Sequence, residues 1–241
     1  MSALYDLAGK RLGVPLYKLW GLDPAAAPLT SFTIGVAPEE ELRRKVQEAA
    51  EYPLLKVKLG TPNDEDIIRI IREEAPDKTL RVDANAGWTP KHALDMIALL
   101  AEYGVEFVEQ PLPPENVEGM RFVRDRSPLP IIGDESCLVS SDIPGLQGVV
   151  DGINIKLAKC GGPREALRMV AVARAHDMRV MMGCMIETSV GITTAAHLAP
   201  LLDYADLDGA ALLAADPYRG ATIHGGVFSI PSGPGLGVTK A

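Results

Sequence analysis

The chain has 241 residues and a formal net charge of −8, with no basic run against that acidity. This excludes the electrostatic footprint of a nucleic-acid or anionic-membrane partner. Hydrophobic residues make up 47% and charged residues 23%, so a packed core is expected, and no apolar stretch reaches the roughly 18 residues of a membrane span.

Length approaches the roughly 250 residues of one (β/α)8 barrel. The first segment, MSALYDLAGKRLGVPLYKLWG, is amphipathic and lacks the apolar centre and cleavage site of a secretory signal. Cys137, Cys160 and Cys184 are odd in number and widely spaced, without a CxxC pair. They read as reduced thiols of a cytoplasmic protein.

Residues 1–30 read as a helical preamble and a linker. From residue 31, β-rich runs alternate with helical patterns. SFTIGV precedes the helix EEELRRKVQEAAEY, LLKVKLG precedes DEDIIRIIREEA, and TLRVDANAG precedes PKHALDMIALLAEYG. VEFVEQPL, LPIIGDES and DGINIKLAK follow, then the helix PREALRMVAVARAHD, then MRVMMGCMIE and ADLDGAALL. Pro38, Thr89 with Pro90, and Pro163 after a glycine pair mark helix starts. Eight such strands predict an α/β fold, a TIM-type (β/α) barrel over residues 31–216. An open doubly wound sheet would carry a Gly-rich loop after its first strand, and TIGVAPEEE has none. Residues 217–241 are rich in Gly and Pro and read as loop with a short hairpin that needs something to pack on.

Three carboxylates end successive runs: Asp83, Glu109 and Asp134, spaced by 26 residues (from 83 to 109) and 25 (from 109 to 134). One βα unit takes about that much chain, so all three reach one end of a parallel sheet and could hold a hard divalent cation. Taken singly, each has a structural explanation: an Asx turn at Asp83, a loop charge at Glu109, a helix cap at Asp134. Lys56 and Lys58 share a face of their strand, since side chains alternate. So do Asn154 and Lys156. A lysine pair could instead protect an edge strand, but these lie among hydrophobic neighbours within regular βα units. Strands two and six of an eight-stranded barrel lie opposite each other, so Lys58 and Lys156 are expected to flank a substrate above the cation. A cation holding a substrate carboxylate stabilises the charge that forms as the adjacent proton leaves. One lysine takes that proton and the other returns one. Crowding by Lys56 would make Lys58 a usable base.

Asp206 and Asp208 form another i, i+2 pair, suited to a substrate ammonium group or to a turn beside Gly209. Asn85 shares parity with Asp83 and is expected to line the site. Glu135, on the opposite parity from Asp134, is expected to support it from behind. Glu187 and Ser189 end the seventh run, within reach of substrate. Gly161 and Gly162 shape a turn or an anion site. The four histidines are scattered and read as surface or core residues.

These motifs carry a family resemblance. K-x-K at 56–58, D-A-N at 83–85, E-Q-P at 109–111, G-D-E-S at 133–136 and N-I-K-L-A-K-C-G-G at 154–162 resemble the enolase superfamily, muconate-lactonizing subgroup. The resemblance implies Mg²⁺, with Mn²⁺ as an alternative, on Asp83, Glu109 and Asp134. It implies Lys58 and Lys156 as the acid/base pair, with Lys56 assisting Lys58 and touching the substrate carboxylate. GCMIETS followed by DLDG resembles the dipeptide epimerases of that subgroup, with Asp206 and Asp208 on the dipeptide's ammonium. The implied activity is an isomerase reaction, epimerisation of a dipeptide by 1,1-proton transfer through an enediolate. Muconate cycloisomerisation, o-succinylbenzoate synthesis and N-acylamino acid racemisation are the sister reactions, and a catalytically silent metal-binding barrel is the non-enzymatic alternative. Family members also carry an N-terminal α+β capping domain of roughly a hundred residues. This sequence resembles the family from the helix after that cap, so it is expected to be the barrel without its lid. Residues 217–241 would then lack their usual partner, and exposed apolar surface predicts a homo-oligomer.

Overall fold

Strand and helix periodicities alternate along the chain, and the structure follows them. A computed structural model describes residues 1–241. Eight parallel strands occur in one sheet in chain order: β1 (Phe32–Ile34), β2 (Leu54–Lys58), β3 (Thr79–Asp83), β4 (Val105–Glu109), β5 (Ile131–Gly133), β6 (Gly152–Lys156), β7 (Arg179–Gly183) and β8 (Tyr204–Asp206). β1 to β7 fall within runs expected to be strands, while β8 starts one residue before ADLDGAALL and stops at Asp206, so most of that run lies beyond the strand. The helices are α1 (Ser2–Leu12), α2 (Leu16–Leu19), α3 (Glu39–Glu48), α4 (Asp64–Glu74), α5 (Pro90–Glu102), α6 (Val117–Arg124), α7 (Leu157–Cys160), α8 (Pro163–Ala175) and α9 (Ser189–Ala196). None is long and apolar enough to cross a membrane. The chain divides into two compact units, Ser31–Asn154, and Met1–Thr30 with Ile155–Ala241.

In the unit Ser31–Asn154 each helix begins where the chemistry favours it. Pro38 precedes α3, whose first turn is Glu39, Glu40 and Glu41, and α4 opens with Asp64, Glu65 and Asp66. Acidic side chains there complement the helix dipole. Ala93, Met96, Ile97 and Leu100 form the buried stripe of α5 at helical spacing. In the sheet, Lys58 pairs in register with Asp83, and Asp83 with Glu109. The three therefore lie side by side. Register shifts between Leu80 and Val82, so β3 and β4 carry an irregularity just beneath that row.

The other unit is built around α8, α9, β7 and β8, joined by both ends of the sequence. α9 is buried almost throughout, from Ser189 to Ala196. Residues 217–241 add β9 (Tyr218–Arg219), β10 (Thr222–His224), β11 (Val227–Ser229) and β12 (Thr239–Lys240), with β10 and β11 forming the expected hairpin across Gly225 and Gly226. This tail has partners within its own unit. Gly235 donates to Val14 O and accepts from Leu16 N, and Leu236 N donates to Asp6 Oδ1. Gly9 permits that approach, because a Cβ there would stand 2.7 Å from the Gly235 Cα. Asp216 accepts from Ser189 N at 2.6 Å and so caps α9.

His197 sits at this junction, fully buried. Its Nδ1 accepts from Tyr17 N at 3.3 Å, so Nε2 carries the proton and donates to Leu236 O at 3.1 Å. Both partners therefore select one neutral tautomer. The ring stacks on Tyr17 with 5.5 Å between centroids.

Candidate active site

The ends of β2, β3 and β4 gather the charged side chains of the first unit. Lys56 is 1% exposed, and Asp83, Glu109 and Asp134 are each 0% exposed. Lys56 Nζ lies 2.7 Å from Glu109 Oε2 and 3.1 Å from Asp83 Oδ2. Lys58 Nζ donates to Asp83 Oδ2 at 2.6 Å. The two lysines thus share the face that strand alternation requires, and both turn to the carboxylates. Asn154 Nδ2 donates to Glu109 Oε1 at 2.7 Å, so each Glu109 oxygen has its own partner.

Burial alone would raise the Asp83 carboxyl. The Lys56 and Lys58 charges outweigh it, helped by hydrogen bonds from Lys58 and the Asn85 amide, and hold Asp83 well below the usual carboxylate range. Asn85 acts through its backbone: its N donates to Asp83 Oδ1 at 2.9 Å, an Asx turn. The strand ends at Asp83, and Asn85 turns into the left-handed region at φ 47° and is exposed. Strand parity therefore does not set its direction. Glu135 is half-buried beside Asp134.

Asp83, Glu109 and Asp134 put three fully buried carboxylates at the ends of β3, β4 and β5. Buried charge costs several kcal/mol unless compensated, and carboxylate oxygens are the donors a hard cation takes. The donor chemistry therefore fits Mg²⁺. The carboxylates are not drawn together at ligand spacing in this conformation. Lys56 and Lys58 hold the Asp83 and Glu109 oxygens instead.

The second unit contributes its own strand ends. Lys156 closes β6 and is 8% exposed, and α7 starts at the next residue. Asp206 and Asp208 are 5% and 2% exposed. β8 stops at Asp206, and the chain beyond it is held by Leu207 N donating to the Thr30 Oγ1 at 2.8 Å. Cys184 Sγ lies 4.0 Å from Asp208 Oδ1. Burial, then the charges of Asp206 and Asp208, push its thiol up, so it stays protonated and is no nucleophile. Glu187 is half-buried and raised by burial, and its Oε1 accepts from Met185 N. The Ser189 amide is occupied by Asp216.

Sequence reasoning passed over three polar residues here. Arg81, 4% exposed and one pleat below Asp83, donates to Glu106 Oε2 at 2.7 Å and lies over the Phe107 ring. Thr30 anchors the loop between the two aspartates. Gln110, fully buried, lies between Glu109 and Asp134. A charged residue flanked by apolar ones, Leu80 and Val82, was the available signal for Arg81, and Gln110 had none.

Residues 39–240 match the enolase C-terminal domain-like family, and the chain belongs to that family. Its fold is accordingly the TIM-type barrel domain of the enolase superfamily. The chain is 46% identical over 240 residues to the L-Ala-D/L-Glu epimerase of Bacteroides thetaiotaomicron, covering 99% of this chain and 62% of that protein. It is 45% identical over 238 residues to the L-Ala-D/L-amino acid epimerase of a Maribacter species, covering 98% and 70%. The dipeptide epimerase of Cytophaga hutchinsonii, solved with Mg and the dipeptide D-Ala-L-Val, superposes with a TM-score of 0.93 at 32% identity, covering 99% of this chain and 68% of that one. The chain thus spans about two thirds of the length of these relatives.

Proposed function

We propose that this chain carries the catalytic machinery of a dipeptide epimerase that inverts the carbon beside a carboxylate by 1,1-proton transfer. The observation that supports it most is the row of half-buried Lys58 with buried Asp83, Glu109 and Asn154, and buried Lys56 beneath it. In this reading Asp83, Glu109 and Asp134 hold Mg²⁺, and Mn²⁺ suits the same oxygen donors. When bound, the ion supplies Lewis-acid stabilisation of negative charge on the substrate carboxylate as the proton leaves. Lys58 takes or gives the proton on one side, and Lys156 does so on the other. Lys56 holds the carboxylates in place and meets the substrate carboxylate. Asp206 and Asp208 hold the free ammonium, which favours an unblocked dipeptide over an N-acylated amino acid. The same reading places the protein in the cytoplasm as a homo-oligomer. The exposed Leu4, Leu7 and Leu12 of α1 support self-association, and a monomer in sedimentation would count against it.

The test is wash-in of solvent deuterium at the α-carbon of L-Ala-L-Glu, followed by NMR with Mg²⁺ present. Exchange and epimerisation are expected, with Lys58→Ala and Lys156→Ala each abolishing inversion and each sparing exchange from a different epimer. Absence of exchange in the wild type, with the chain also supplied with the rest of a relative's sequence, would overturn the reading.

A further inference from the structure

The chain leaves β4 through a strained residue. Gln110 has φ 36°, a left-handed conformation that a residue with a side chain rarely takes. Three of the four non-glycine residues with positive φ, Asn85, Ala86 and Gln110, lie within three residues of the ends of the strands that finish in Asp83 and Glu109. Such strain costs of order 1–3 kcal/mol and persists only where surroundings enforce it. Glycine at 110 would relieve it, but glycine has no carboxamide.

That carboxamide is fully used. Oε1 accepts from Asp134 N at 2.8 Å and Ser136 N at 3.2 Å. Nε2 donates to Leu112 O at 2.7 Å and Ser136 Oγ at 2.8 Å. The backbone joins in: Gln110 N donates to Ile132 O, and Gln110 O accepts from Ala86 N, both at 2.8 Å. One buried residue therefore ties the loops after β3 and β4 to the turn after β5. Asp134 lies beyond the end of β5, so no strand pairing fixes it. Its amide is held by Gln110 instead.

We propose that Gln110 is the positioning residue of the metal site: its side chain sets the third carboxylate, Asp134, against Asp83 and Glu109. The inference rests on the reading of those three as Mg²⁺ ligands. Partners that orient metal ligands typically contribute 10–100-fold in metal affinity. Gln110→Met fills similar volume and removes all four side-chain bonds. Ser136→Ala removes the bond to the serine hydroxyl alone, at a half-buried residue.

The experiment is titration calorimetry of the full chain with MgCl₂, well below the melting temperature of each variant. Gln110→Met is expected to weaken Mg²⁺ binding about 10–100-fold. Turnover should be recovered at saturating Mg²⁺, with KM for the dipeptide near the wild-type value. Ser136→Ala is expected to weaken binding several-fold, and it decides the matter if Gln110→Met does not fold. Wild-type Mg²⁺ affinity in either folded variant would overturn the inference while leaving the ligand assignment intact. No Mg²⁺ binding by the wild type would overturn both.

Discussion

Replacing Lys56 with Met tests whether one buried ammonium holds the two carboxylates together. Met retains most of the apolar stem, so the loss is mainly electrostatic. The wild-type ammonium lies 2.7 Å from Glu109 Oε2 and 3.1 Å from Asp83 Oδ2, and neither carboxylate is exposed. Lys58 still covers Asp83 at 2.6 Å, so the loss falls mainly on Glu109, whose ion pair with Lys56 is the shorter of the two. Removing one partner of a buried ion pair costs about 3–5 kcal/mol. At about 2–4 °C per kcal/mol for a chain of this size, the melting temperature should fall by about 6–20 °C. Adding Glu109→Gln removes the stranded charge, so the double variant should recover about 1–3 kcal/mol of the summed single losses. The assay is thermal and urea unfolding of all four proteins in metal-free buffer. A Lys56→Met melting temperature within about 2 °C of wild type refutes the electrostatic account, as does a double variant whose losses simply add.

The neutral His197 predicts a pH dependence. Burial lowers its pKa below the ordinary 6.5, more than the bond to Leu236 O raises it. The unfolded chain then binds a proton that the folded one refuses, so the His197 contribution is complete above about pH 6.5 and is lost as pH falls from there towards the folded value. Urea unfolding between pH 7.5 and 5 should show that slope, and His197→Gln should flatten it; an unchanged slope contradicts the neutral tautomer. Trp88 Nε1 donates to the buried Asp64 Oδ2 at 2.7 Å, so Trp88→Phe should cost about 1–3 kcal/mol in chemical denaturation. Equal stability would show that the bond is unimportant. Asp208→Asn should lower kcat/KM for an unblocked dipeptide about 10–100-fold, the value of a charged hydrogen bond, while sparing an N-acylated substrate. Equal losses on both would remove the ammonium role.

Much of the site was legible because strand alternation is strict. Lys56 and Lys58, two residues apart, had to share a face, and regular βα spacing had to set Asp83 beside Glu109. The argument failed where the strand stopped. Asn85 has Asp83's parity, but β3 ends at Asp83, Asn85 lies in a left-handed turn, and parity no longer sets where its side chain goes. Asp208 is buried for a reason parity does not contain, since a hydrogen bond from Leu207 to Thr30, 177 residues away, holds its loop. α9 showed no amphipathic stripe because it is enclosed on nearly every side. What Gln110 and Arg81 pair with was silent for a related reason. Their partners are a distant amide and a glutamate beside a register shift, neither of which leaves a pattern in local sequence.

The hydrogen bond between Asp6 and Leu236 spans 230 residues. During synthesis at about 5–20 residues per second, Leu236 is made some tens of seconds after Asp6. Throughout that interval α1 has no tail to seat against, and Gly9, its one buried residue, stays open to solvent. The last step in assembling that unit is therefore timed by the ribosome, and slower translation lengthens the period in which the young chain is open to aggregation or proteolysis.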